Sequence, residues 1–286
     1  MHRPGYRSAQ QLRSELAWLH GLGDHTDLGV ARPRANAHGE QLVLGTAPGV
    51  PEARWCSLLS WVDGRMFRTR ALPVHALRVG RAMAVMHRFA EQWEPGEDFE
   101  RPVFDHTEIY RLPARTGVEA VDTALPTEAW DVWQAGMERR QELATALGRG
   151  PEVWGLAHLD LHFHNVVFQG DRAVPIDFDD GGFGHFVNDL AIPWGRLQRT
   201  ATAEASWSAF QAGYRERRAL DPEHAALVPT FAALDGTMAA RWLASQQHVP
   251  AVRARTTTIL ETVVREIADA LGVDSPVPPP QAAPKR

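Results

Sequence analysis

His158-Leu159-Asp160-Leu161-His162-Phe163-His164-Asn165 runs directly into Val166-Val167-Phe168, and Ile176-Asp177-Phe178-Asp179-Asp180 follows closely. The apolar runs Trp154 to Leu159 and Val166 to Phe168 flank a polar loop, which reads as strand, loop, strand. Gln169-Gly170-Asp171 supplies a turn, and Ala173 to Ile176 reads as the returning strand. Such a hairpin carries Asp177 back beside Asn165, twelve residues before it. A further acid, Asp189, lies in Asn188-Asp189-Leu190-Ala191.

An Asp, an Asn five residues later and a second Asp beyond a short hairpin suit phosphoryl transfer. That chemistry needs a carboxylate to orient the attacking hydroxyl and accept its proton. It also needs hard oxygen ligands for a Mg²⁺ ion that bridges the phosphates. Asp160 on its loop can supply the first, and Asn165 with Asp177 the second. A competing reading takes His158, Asp160, His162 and His164 as an alternating set on one strand face, as in zinc or two-metal hydrolases. That reading leaves Asn165 and Asp177 without a task.

Outward from this insert the chain is mostly helical. Ser8 is a candidate cap for a helix to about Leu22, with Leu12, Leu16 and Leu19 on one side and Gly21 and Gly23 as its stop. Gln41 to Gly45 and Trp55 to Val62 read as strands, the second ending at the turn pair Asp63-Gly64. Val74 to Trp93 and Trp130 to Leu147 read as amphipathic helices. Beyond Ala191 the expected helices are 202–218, 222–247 and 252–271. No internal repeat is visible.

The length of 286 residues fits one large domain or two lobes, and 44% apolar residues suffice for a sizeable core. A net charge of -5 gives no basic excess, which sets nucleic acid aside as a partner. The lone Cys56 excludes an internal disulfide framework and fits a reducing compartment. No run approaches 18 apolar residues and the first residues lack a signal-like apolar core. A cytoplasmic protein without membrane contact is therefore expected, with oligomeric state open. The proline-rich segment 275–286 reads as a disordered tail.

The stretch from His158 to Asn165 resembles the H-G-D-x-H-x-x-N motif of the aminoglycoside phosphotransferase and choline kinase family. "IDFDDGGFGHF" followed by "NDLA" is similar to its homoserine-kinase-like and stress-response-kinase-like branch. The early "SELAWL", the "LLSWVDG" and the late "GYRERRAL" resemble flanking segments of that branch, so the likeness covers nearly the whole chain. It implies an α+β, protein-kinase-like two-lobe fold: a small N-lobe with hinge over 1–62, and a mostly helical C-lobe over 63–274. It implies ATP and Mg²⁺ as cofactors and a small-molecule hydroxyl as acceptor.

By the same resemblance Asp160 is the catalytic base and His158 braces its loop. Asn165 and Asp177 hold Mg²⁺, and Asp189 holds the loop backbone. The backbone of Ser60, Trp61 and Val62 meets adenine, and Glu15 is the lobe-bridging acid facing the phosphate-binding strand. Asp179 is expected near the site and His162 as a loop brace. Trp61 is expected either to stack on adenine or to pack between lobes. Trp194, Trp207 and Trp242 are candidate walls for the acceptor beside Asp160. Asp24, His25 and His75 carry no assigned role.

Two departures stand out. Leu159 occupies a position that is usually glycine, which is tolerable if its backbone torsions are ordinary and its side chain has room. The strands that precede the Glu15 helix in the family, with their glycine-rich loop and basic residue, are expected to be missing, leaving a truncated N-lobe. Arg3 and Arg7 are the basic residues on that side, and both fall late for pairing with Glu15. The expected function is transfer of the γ-phosphoryl of Mg·ATP to an amino alcohol, a homoserine-like or an aminoglycoside-like hydroxyl. The alternative is a catalytically impaired nucleotide-binding relic or regulatory pseudokinase, with a protein Ser/Thr kinase or a metal hydrolase ranked below.

Overall fold

The computed structural model describes residues 1–67, 72–105 and 116–279. In chain order it holds α1 (Ala9–His25), β1 (Pro33–Arg34), β2 (Leu42–Gly45), β3 (Arg54–Leu59) and α2 (Pro73–Ala90). Next come α3 (Glu119–Asp122), α4 (Thr127–Leu147), β4 (Trp154–Ala157), β5 (Val166–Gln169), β6 (Arg172–Pro175) and β7 (Gly182–His185). The remaining helices are α5 (Phe186–Leu197), α6 (Ala203–Arg215), α7 (Pro222–Leu234), α8 (Met238–Ser245), α9 (Pro250–Arg253) and α10 (Thr256–Leu271). This is the expected α+β content, with few strands. Among the described residues no helix is long and apolar enough to cross a membrane.

The chain divides into two compact units, Met1–Val103 with Arg149–Ala226, and Phe104–Gly148 with Leu227–Arg286. These units are defined by packing, whereas the lobes expected at 1–62 and 63–274 are defined by element type, and the two divisions differ. Of the tail expected over 275–286, residues 280–286 lie outside the described residues.

In the first unit, α1 starts where Ser8 predicts. The Ser8 hydroxyl accepts the Gln11 amide at 3.0 Å and the Gln11 side chain accepts the Ser8 amide at 3.2 Å. Such a reciprocal cap satisfies two otherwise orphaned donors. Leu12, Leu16, Leu19 and Leu22 form the buried stripe. The helix does not stop at Gly21 and Gly23. A Cβ on Gly21 would lie 2.9 Å from the Phe89 ring, and one on Gly23 2.7 Å from the Arg32 guanidinium. These glycines serve close approach, and the helix runs on to His25.

The small sheet has the order β1-β3-β2, all antiparallel, with Pro33 opposite Leu59 and Val43 opposite Cys56. β1 is too short to carry a sequence signal. β3 stops at Leu59 rather than Val62, because Ser60 turns onto Arg32: its amide donates to the Arg32 carbonyl and its hydroxyl accepts the Arg32 amide, both at 2.8 Å. The chain then lies on the hairpin. Arg65 and Phe168 exchange backbone hydrogen bonds of 2.9 and 2.8 Å. Gly64, at φ 151, has room for no Cβ, which would sit 2.5 Å from the Phe168 carbonyl oxygen.

β5 and β6 form the expected hairpin, Val166 opposite Pro175 and Gln169 opposite Arg172. β4 pairs with β7, Ala157 opposite Gly182. β7 escapes sequence reading because Gly182-Phe183-Gly184-His185 lacks apolar alternation. Helices α2 and α6 cross at Gly80 and Gly213, where a Cβ on either would strike the other helix's backbone, at Phe210 and Leu77.

The second unit buries Val121, Leu125, Trp130 and Trp133 with Leu234, Leu260, Ile267 and Val277. The helix expected over 222–247 is interrupted by a 3-10 turn at Asp235–Thr237. There the Asp235 carboxylate accepts the Arg140 guanidinium at 2.7 Å.

Candidate active site

β4 delivers the chain to a loop that is held from behind. The Asp189 carboxylate, fully buried on α5, accepts the His158 amide at 3.1 Å and the Leu159 amide at 2.9 Å. His158 is itself fully buried. Its Nε2 donates to the Ile176 carbonyl at 3.1 Å and its ring lies 4.7 Å from that of Phe178. Two segments distant in sequence are thereby fixed to one another.

Leu159 does not have ordinary torsions. Its φ is 59°, in the left-handed region, and Asp177 stands at φ 66°. For residues with a Cβ this region is costly, by about 1–2 kcal/mol. Both strained residues flank the carboxylates of interest, and the bonds from Asp189 and to Ile176 hold the frame that tolerates them.

Phe163–Asn165 form a 3-10 turn that swings the Asn165 side chain back onto Asp160. The Asn165 amide nitrogen donates to the Asp160 Oδ2 at 2.9 Å and to its carbonyl at 3.0 Å. Its amide oxygen is thus the atom left to face a cation. His162 Nε2 lies 3.7 Å from the Asp160 Oδ1, near it but beyond hydrogen-bond distance. Because β4 ends at Ala157 and a 3-10 turn begins at Phe163, the residues 158–164 are not one strand. The alternating face of His158, Asp160, His162 and His164 that a zinc hydrolase would use does not form.

Burial raises the Asp160 carboxyl to about 7, with the Asp180 charge adding and the Asn165 bond opposing. Burial also raises Asp177 to about 6, helped by the charge of Asp179. Crowded carboxylates that resist ionisation are the condition a divalent cation relieves. Among the described residues no three His, Cys, Asp or Glu side chains converge as a protein-only metal cage. A magnesium site completed by phosphate oxygens needs only one or two carboxylates. Asn165 and Asp177 fit that donor set.

The remaining acids are capped by the first residues of the chain. Arg3 donates to the Asp179 carboxylate at 2.7 Å, and Arg7 donates from Nε to the Asp179 carbonyl at 2.9 Å. The Tyr6 hydroxyl donates to Asp180, with the Arg3 and Arg7 guanidiniums 3.8 and 4.3 Å from its ring centre. Neither arginine pairs with Glu15. Glu15 is buried, which raises its carboxyl, and its partner is Arg101 at 3.3 Å.

Ser60 to Val62 connect β3 to the segment lying on β5, so the stretch expected as the hinge leads onto the hairpin. Trp61 is 87% exposed, which excludes packing between lobes and leaves its ring face available. Trp194 and Trp207 share a pocket of about 450 Å³ with Glu204 and Arg215, but Asp160 does not line it.

Sequence reasoning missed Arg101 and His87. Arg101 sits in a polar loop with no periodic signal. His87 did leave one, a histidine on the apolar face of α2. It is fully buried, donates from Nε2 to Asp189 at 3.0 Å, and accepts at Nδ1 from the Tyr214 hydroxyl at 2.8 Å. Burial holds His87 below its ordinary value against the pull of the Asp189 charge. Burial opposes the ionised Asp189, yet the bonds from His87 and His158 hold its carboxyl low.

Residues 1–227 match the APH group, the phosphotransferase enzyme family. An uncharacterised protein of Deinococcus radiodurans is 30% identical over 243 residues, which cover 82% of this chain and 66% of that protein. Amicoumacin kinase of Bacillus subtilis is 25% identical over 251 residues, covering 79% of this chain and 67% of its own. The structure of a microcompartment-associated aminopropanol kinase is similar with a TM-score of 0.74 and 25% identity, over 95% of this chain and 84% of that one. The chain spans about two thirds of the length of the curated relatives it matches.

Proposed function

Since the chain belongs to the APH phosphotransferase enzyme family, we propose that it transfers the γ-phosphoryl group of Mg·ATP to a hydroxyl of a small molecule. The acceptor classes that fit are an amino alcohol, a homoserine-like amino acid and an aminoglycoside-like compound. The observation that carries the reading is the Asp160 carboxylate, held at 2.9 Å by Asn165 on a loop whose two preceding amides are fixed by Asp189.

The chemistry follows from that geometry. Asp160 Oδ2 is committed to Asn165, so Oδ1 is the atom that orients the acceptor hydroxyl and takes its proton. A carboxyl raised to about 7 is a stronger base than an ordinary aspartate and is matched to neutral pH. Asn165 and Asp177 would hold Mg²⁺, which would supply positive charge to offset that of the phosphates. Ser60 to Val62 would meet the adenine edge, with the exposed Trp61 ring beside it. Phosphoryl transfer of this kind is mainly positioning and electrostatics, which a braced loop supplies. We place the activity in the cytoplasm, in keeping with a single free Cys56.

The test is calorimetric titration with ATP, with and without Mg²⁺, followed by ADP release in the presence of each acceptor class. Magnesium-dependent binding with acceptor-dependent ADP release is the expected result. Binding without release from any class would leave a nucleotide-binding protein and sink the transferase reading. Absence of binding would sink both.

A further inference from the structure

Arg101 is 4% exposed, and its guanidinium reaches two segments, the loop after Asp177 and α1. Nε donates to the Gly181 carbonyl at 2.8 Å, and Nη2 to the Phe178 and Asp179 carbonyls at 2.7 and 3.0 Å. Nη1 donates to the Gln11 carbonyl at 3.2 Å and to Glu15 at 3.3 Å. Three of these acceptors lie in the four residues that follow Asp177. The carbonyl of Asp179 is also taken by Arg7 from the other side, at 2.9 Å.

A plain structural ion pair would explain Glu15, but not the choice of carbonyls. The peptide planes that Arg101 holds begin one residue after Asp177, whose backbone is in the left-handed region at φ 66°. A residue in that region has no broad energy well of its own to hold its direction. Where the Asp177 carboxylate points is therefore set by what grips the chain after it. The planar fork of arginine can satisfy several carbonyls at fixed angles, whereas a lysine ammonium is a point charge on a flexible stem. Glu15 offsets the buried charge and, through Gln11 beside it on α1, ties the loop to that helix.

We propose that Arg101 is the positioning residue of the site: it fixes the 178–181 backbone, aims the Asp177 carboxylate, and registers both against α1 through Glu15. Arg7 is the outer half of the same grip. The proposal rests on the reading of Asp177 as a magnesium ligand, and extends it to two residues that reach the metal only through the loop.

The test uses the whole chain with Arg101→Lys, Arg101→Gln and the more exposed Arg7→Gln. Amide hydrogen exchange, followed without ligand, is expected to accelerate over 178–182 in Arg101→Lys while α10 is unchanged. The magnesium concentration needed for ATP binding is expected to rise about 10- to 100-fold, the usual cost of losing a supporting partner of a metal ligand. ATP affinity without magnesium should stay put, a split that general destabilisation would not produce. Arg7→Gln, which leaves the core intact, should move both readouts in the same direction by less. Unchanged loop exchange, or an unchanged magnesium requirement, in Arg101→Lys would overturn the proposal, and so would a wild type whose ATP binding ignores magnesium. A wild type that binds Mg·ATP but phosphorylates no acceptor would remove the proposed activity and leave this role intact, because neither readout needs an acceptor.

Discussion

His87 and Asp189 meet at 3.0 Å with neither side chain exposed to solvent, so the acid that holds the Asp160 loop is itself held by a neutral imidazole. The chain of contacts continues outward through the Tyr214 hydroxyl to Arg218, which donates to it at 2.8 Å.

That pairing gives stability an acid limit. Burial keeps the folded His87 below the ordinary imidazole value of 6.5, while the unfolded chain takes up a proton near it. Below about pH 6.5 the unfolded state binds more protons at this group, and its contribution to stability falls as pH falls. Asp160 and Asp177, raised to about 7 and about 6, act in the opposite sense over this range, so the His87 share is read as a difference between two proteins. From pH 8 down to pH 5.5 the urea midpoint of the wild type should lose ground relative to that of His87→Gln, which cannot be protonated there. Equal slopes would remove His87 from the explanation.

Leu159 adopts a backbone conformation that glycine takes freely. Leu159→Gly relieves about 1–2 kcal/mol of left-handed strain and gives back about 0.4–1 kcal/mol through the more flexible unfolded chain. A small net stabilisation is expected in chemical denaturation. Leu159→Val, β-branched at the same φ, should lose stability, and a neutral valine variant would contradict the strained geometry.

The crossing of α2 and α6 admits no side chain at Gly80 or Gly213. Gly80→Ala and Gly213→Ala should each cost about 1–3 kcal/mol, as overpacked cores do. The double variant should cost less than the sum, because one separation of the helices relieves both clashes. Thermal melts of the three variants read this directly, and strict additivity would indicate independent sites.

Asp160→Ala should lower turnover by about 10²–10⁴-fold, the usual worth of a general base, and leave Mg·ATP binding largely intact. Asp177→Ala should instead abolish the magnesium dependence of binding. Interchanged phenotypes in paired titration and rate measurements would reverse the two assignments.

Much of the site was readable because its residues are close in sequence and their spacing is dictated by a hairpin. Val166-Val167-Phe168, a glycine turn and a returning apolar run force Asp177 back toward Asn165. The Ser8 cap was equally local. The partner of Glu15 was not readable, since Arg101 lies 86 residues away in a loop without periodicity. Arg3 and Arg7 fall late for that pairing, and both are drawn instead to Asp179 and Asp180. β1 was too short, and β7 too rich in glycine, for any pattern to register. The left-handed torsion of Leu159 is not legible, because sequence shows residue type and not torsion.

The backbone exchange between Arg65 and Phe168 has a mechanical consequence. From Arg65 onward the chain moves with the β5–β6 hairpin, and up to Ser60 it moves with the small sheet. Any swing of that sheet over the proposed magnesium-binding hairpin turns at the few bonds from Trp61 to Gly64 and also loads the first residues, where the His2 amide holds Trp55 while Arg3 holds Asp179. That short axle lies beside the adenine edge proposed above, so a bound base would sit on the joint itself.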